Sequence, residues 1–128
     1  MKLASIDVGL KRIGIAICLN SDIVTPQTAI LRKNRNQAAR DVNIFLKEWE
    51  IEKLIVGFPS ASIDMQNRIN HFVSLLELKI PYEFCEENMS SIEAEDLIKG
   101  EIKYKRDGRI DSLAAKIILE RYLTKKIS

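Results

Sequence analysis

Residues 2–19 read KLASIDVGLKRIGIAICL, and their pattern decides the fold. Two β-prone runs, 2–8 and 12–19, flank the short connection Val8-Gly9-Leu10-Lys11. A brief glycine-containing connection between two such runs predicts an antiparallel hairpin. Pro26 then interrupts the chain, and residues 27–31 suit a third strand. The chain therefore opens with an antiparallel meander.

Beyond this meander the hydrophobic period changes. Ala38, Val42, Phe45, Leu46 and Trp49 recur as the inner face of a helix. Residues 53–56 (KLIV) form a short apolar strand, closed by Gly57-Phe58-Pro59. Ile69, Phe72, Val73 and Leu76 mark a second helix, and residues 81–85 (PYEFC) a fifth strand. Ser90 with Glu93 is a capping-box pair that opens a further helix, ended by Gly100. Ile110, Leu113, Ala114, Ile117, Ile118 and Tyr122 mark the last. The order βββ-α-β-α-β-α-α predicts an α/β domain of ribonuclease-H-like architecture. Its mixed five-stranded sheet has three antiparallel strands first and helices on both faces.

The chain has 128 residues, 46% of them hydrophobic, enough for one domain spanning 1–128 with a core of its own. Cys18 and Cys85 are isolated, and with one histidine they offer no zinc-binding pattern. Two separate thiols suit a reducing cytoplasm. No apolar run approaches a membrane span, and the N-terminus lacks the features of a signal peptide. The net charge is only +2, but residues 1–40 carry +5, residues 41–98 carry −8, and residues 99–128 carry +5. Basic ends of this kind favour a nucleic-acid partner through phosphate contacts.

Three regions offer carboxylates at positions where such a sheet builds its site. Asp7 stands where the first strand meets its turn, next to Gly9, Lys11, Arg12 and Gly14. The glycines would let a backbone approach a ligand, and Lys11 and Arg12 would face phosphate. Glu86 and Glu87 end the fifth strand; neighbours on a strand point to opposite faces, so one of the two would enter a shared site. Asp111 shares a helix face with Ala114, Ala115 and Ile118, and the two alanines would bring that helix close to the sheet. Carboxylates from separate elements suit Mg²⁺ or Mn²⁺. Two such ions about 3.5–4 Å apart activate water and stabilise the leaving oxygen of a phosphodiester. Lys103, Lys105, Arg106 and Arg109, just ahead of Asp111, would grip the nucleic-acid backbone. His71 is expected at the surface, Cys85, Phe45 and Trp49 in the core.

These motifs together resemble the YqgF/RuvX family of Holliday-junction-resolvase-like nucleases, also described as pre-16S rRNA nucleases. The similarity spans nearly the whole chain: IDVGLKRIG (6–14), VGFP (56–59), EENMSSIEAE (86–95) and RIDSLAAKIILERYL (109–123). The resemblance implies that the catalytic, metal-holding acids are Asp7, Glu87 and Asp111, with Glu86 ranked behind Glu87. It implies metal-dependent phosphodiester hydrolysis, with processing of the 5′ end of 16S rRNA precursor as the expected role. Resolution of branched DNA is the alternative, as is a nucleic-acid-binding ribosome-assembly factor with a degenerate site. Two departures bear on substrate grip rather than on metal binding. Asn88 stands where the family motif has arginine, and the loop after Pro59 is short. The residues themselves favour neither RNA nor DNA, and neither a monomer nor a homodimer.

Overall fold

A computed structural model describes residues 1–20, 23–86 and 112–127. The opening meander is there: β1 (Leu3–Val8), β2 (Arg12–Cys18) and β3 (Thr25–Leu31) pair antiparallel in sequence. α1 (Arg35–Glu48) leads to β4 (Lys53–Phe58), and α2 (Ile63–Leu76) to β5 (Tyr82–Glu86). The last described helix is α3 (Leu113–Ile127). The sheet order is β3-β2-β1-β4-β5, with β4 parallel to both β1 and β5. β1, β4 and β5 are therefore successive neighbours, as the ribonuclease-H-like reading requires. The helix expected over residues 90–100 lies outside the described residues.

Strand alternation sorts the core into two layers. On β1, Ala4, Ile6 and Val8 join Ala38, Val42 and Leu46 of α1 and Ile69, Phe72 and Val73 of α2. Leu3 turns the other way, with Ala16, Cys18, Ile55 and Cys85, against Ala115, Ile118, Leu119 and Tyr122 of α3. Helices thus cover both faces. Lys53 Nζ donates to the Tyr122 hydroxyl at 2.8 Å, tying β4 to α3. Among the described residues no helix is long and apolar enough to cross a membrane.

The helices begin earlier than their apolar marks. Asn34 caps α1, accepting from Gln37 N at 2.8 Å while the Gln37 side chain accepts from Asn34 N, a complete capping box. Ser62 caps α2, accepting from Met65 N at 3.3 Å. Ile63 is 73% exposed, so the first turn of α2 carries no inward-facing signal. β4 also runs through Phe58, past the Gly57 expected to close it. Phe45 and Trp49 lie against the core half-buried rather than within it.

Candidate active site at the strand ends

Asp7 is half-buried and belongs to the odd-numbered side of β1, the side that α3 covers. Its cross-strand partner on β2 is Gly14. Next to Gly14 the β2–β3 register slips: Ile13 pairs with Ile30 but Ile15 with Gln27, so two β3 residues oppose one on β2. This is a β-bulge, a device that re-aims a strand beside a site. At its end the Ile15 N–H donates to the Ser112 hydroxyl at 3.0 Å. Ser112 is fully buried. Ser5, two residues before Asp7, donates through Oγ to the Ala115 carbonyl at 2.6 Å. Ala115 is itself buried and without bulk, so backbone and strand approach closely. Two hydrogen bonds thus fasten the start of α3 to β1 and β2 beside Asp7, as the paired alanines predict.

β5 ends on the first of the two neighbouring acids, Glu86. Cys85 faces α3, where burial pushes its thiol up from the ordinary value and its Sγ donates to the Ile118 carbonyl at 3.7 Å. Glu86 faces the other way: its Oε1 accepts from Ser60 N at 3.2 Å, inside the β4–α2 connection. Phe84 shares that side, its ring 4.5 Å from Phe58 and 5.7 Å from Tyr82, an aromatic cluster that the sequence gives no hint of. Glu86 therefore lies on the face opposite Asp7 and holds the turn between β4 and α2. Glu87, Asp111, Lys103, Lys105, Arg106 and Arg109 lie outside the described residues. Among the described residues no three His, Cys, Asp or Glu side chains gather at one point.

The turn after Asp7 is closed by its own backbone. Gly9 N donates to the Arg12 carbonyl at 3.0 Å, and a Cβ on Gly9 would sit 2.6 Å from that oxygen. The missing side chain of Gly9 serves the turn's own closure. Lys11 and Arg12 are exposed on this turn, as expected.

The structure adds a basic cluster absent from the sequence reading. Arg32 N donates to the Lys11 carbonyl at 2.9 Å and Arg32 Nη1 to the Gly9 carbonyl at 2.7 Å, which docks Arg32 on the Asp7 turn. Its guanidinium lies 6.0 Å from the centre of the Phe72 ring. Arg35 and Arg68 stand close enough to act on it. Burial lowers the Arg32 pKa first, and the two neighbouring cations lower it further. Arg35 is the first residue of α1, and that helix has no acid in its first turn. A cation there opposes the helix dipole, at a cost of about 0.3–1 kcal/mol. With Leu10, Asn67 and the exposed His71 these arginines line a groove of about 440 Å³. Arg32 and Arg35 lie three residues apart, and the packing of α2 against α1 brings the distant Arg68 to them.

The family model described as "RuvX: Holliday junction resolvase" matches residues 1–125. A protein of Sulfurovum sp. (strain NBC37-1) is 65% identical over 97% of this chain and 99% of its own length. One of Sulfurimonas denitrificans is 51% identical over 98% and 99%. Both carry the name "Putative pre-16S rRNA nuclease". Among solved structures, the fowlpox virus Holliday junction resolvase superposes with a TM-score of 0.60, at 16% identity, over 98% of this chain and 99% of its own. That likeness fixes the fold as ribonuclease-H-like. The match along 1–125 and the two full-length relatives show that this chain belongs to the RuvX family.

Proposed function

We propose that this chain is a divalent-metal-dependent nuclease that processes the 5′ end of 16S rRNA precursor, with Asp7, Glu87 and Asp111 as its catalytic acids. As a family member it is a nuclease, a hydrolase of nucleic-acid phosphodiester bonds; the metal, the residues and the ribosomal substrate go beyond that. The observation that carries the reading is the seat of Ser112. It follows Asp111 in the chain. Its hydroxyl is bonded to Ile15 N, next in sequence to Gly14, the cross-strand partner of Asp7. Alternation along β5 speaks against Glu86, which is on the face opposite Asp7 and holds Ser60 N.

Three carboxylates form an all-oxygen donor set, the chemistry that suits Mg²⁺ or Mn²⁺. Asp7 fits such a role as a half-buried acid at the end of the central strand. When bound, the ions supply an activated water and offset charge at the leaving oxygen. The chain's own contribution is position. β1 is held between β2 and β4, and its turn is closed by the Gly9–Arg12 bond, so Asp7 sits on a rigid element. Lys11 and Arg12 present cations where a phosphate would arrive.

The free, buried Cys18 and Cys85 support a cytoplasmic setting. A monomer suffices to trim an RNA end, whereas a symmetric four-way junction calls for a two-fold dimer. The test offers purified protein a precursor rRNA and a four-way DNA junction, each with Mg²⁺ or Mn²⁺ and with a chelator. The expected result is cleavage of the precursor, stopped by the chelator, with the junction left whole. Preferential cutting of the junction would transfer the reading to resolution of branched DNA. Tight RNA binding with no turnover under any metal would make the chain an assembly factor.

A further inference from the structure

The groove between α1 and α2 has no part in the acid site, yet it breaks two local rules of protein stability. Arg32, Arg35 and Arg68 gather at one point, and the charges of Arg35 and Arg68 weigh against that of Arg32. Among the described residues, neither Arg35 nor Arg68 forms an ion pair. Arg35 also occupies the first position of α1, where a carboxylate would be favoured. Each feature raises the free energy of the folded protein, and among the described residues no carboxylate pairs with Arg35 or Arg68 to offset it. Rules broken in this way mark functional sites.

Both features become favourable once an anion enters. Guanidinium groups take phosphate oxygens in pairs, and the start of α1 adds its positive dipole end. Asn67 and His71 supply further polar groups on the α2 wall. The groove is tied to the active-site turn, since Arg32 is bonded to the carbonyl of Gly9. Asp7 faces α3, the groove opens towards α1 and α2, and the turn at residues 9–12 stands between them. An extended polyanion crossing that turn would touch both.

We infer that Arg32, Arg35 and Arg68 form a second phosphate clamp, which holds the nucleic-acid backbone of the substrate away from the bond that is cut. The inference rests on the nuclease reading above and adds a binding site for the same substrate. The clamp reads charge and spacing, not bases, so it serves affinity and register along the strand.

The test measures binding of a labelled stem–loop RNA with a single-stranded 5′ extension, in an Asp7→Asn background that removes cutting. Each phosphate contact contributes about 0.7–0.9 to the slope of log affinity against log salt. Arg35→Gln with Arg68→Gln should therefore lower the slope by about 1.5 between about 50 and 200 mM salt. Arg35→Lys with Arg68→Lys should keep most of it, and Lys47→Gln, at the far end of α1, should leave it unchanged. Thermal unfolding of the glutamine pair should be at or above that of its parent, because two repelling cations are gone. An unchanged slope in the glutamine pair, with the Asp7-intact protein still cutting this RNA, overturns the clamp and leaves the nuclease reading standing. If inorganic phosphate binding depends on the two arginines while RNA binding does not, the groove is a small-anion site and the clamp is likewise overturned. An RNA neither cut by the Asp7-intact protein nor bound by the variant removes the nuclease reading, and the clamp with it.

Discussion

Glu86 and Glu87 are neighbours in the chain, and the proposed function gives them two different roles. Glu86 accepts from Ser60 N on the face away from Asp7. A glutamine there keeps the accepting oxygen, so Glu86→Gln should leave metal-dependent cleavage near the wild-type rate. Glu87→Gln should lose most of it, with folding unchanged. Rates of RNA cleavage for the two variants check the pair, and equal losses would refute the assignment. At this scale Asp7 was legible, because a carboxylate between a strand and a glycine turn with flanking cations is a local pattern. The same holds for the buried Cys85 and the exposed His71. The purpose of Gly9 was not legible, since its conflict is with a carbonyl three residues on. Nor were Arg32, Arg35 and Arg68, whose meeting depends on how two helices pack.

The strands were legible as elements, because each carries a β-prone or alternating run between turn signals. The helix starts were harder. α2 begins at Ile63, six residues before the first of its apolar marks at Ile69, since no residue of its opening turn is fully buried. The caps were nevertheless written in the sequence as Asn34 with Gln37 and as Ser62. The β-bulge was hidden, because it is a relation between two strands and not a property of either. Its consequence is the bond from Ile15 N to Ser112 Oγ, which seats α3 beside the Asp7 row. Ser112→Ala would leave a buried N–H without that acceptor, a cost of about 1–3 kcal/mol. Urea unfolding should show the loss, and cleavage should fall further than the loss of folded protein accounts for. Full activity in the folded fraction would show that the seat of α3 does not set the site.

At the scale of the whole molecule, the uneven charge found along the chain becomes a spatial arrangement. Lys11, Arg12, Arg32 and Arg35 all come from the basic first segment, and the meander and α1 carry them to the end of the sheet where Asp7 lies. Arg68 joins them from the acidic middle through α2. A carboxylate that faces one helix layer and a cationic groove that opens on the other are thus separated by one turn. This is how a small α/β domain can hold a long polyanion and still place an acid at one of its phosphates. In this reading Asp7 serves the chemistry and not the binding or the fold. The most direct measurement is single-turnover cleavage of a precursor rRNA with Mn²⁺ by wild type and Asp7→Asn, alongside RNA affinity and thermal unfolding of both. The account predicts cleavage reduced to background in the variant, with affinity and unfolding close to wild type. Cleavage that persists in Asp7→Asn would contradict it.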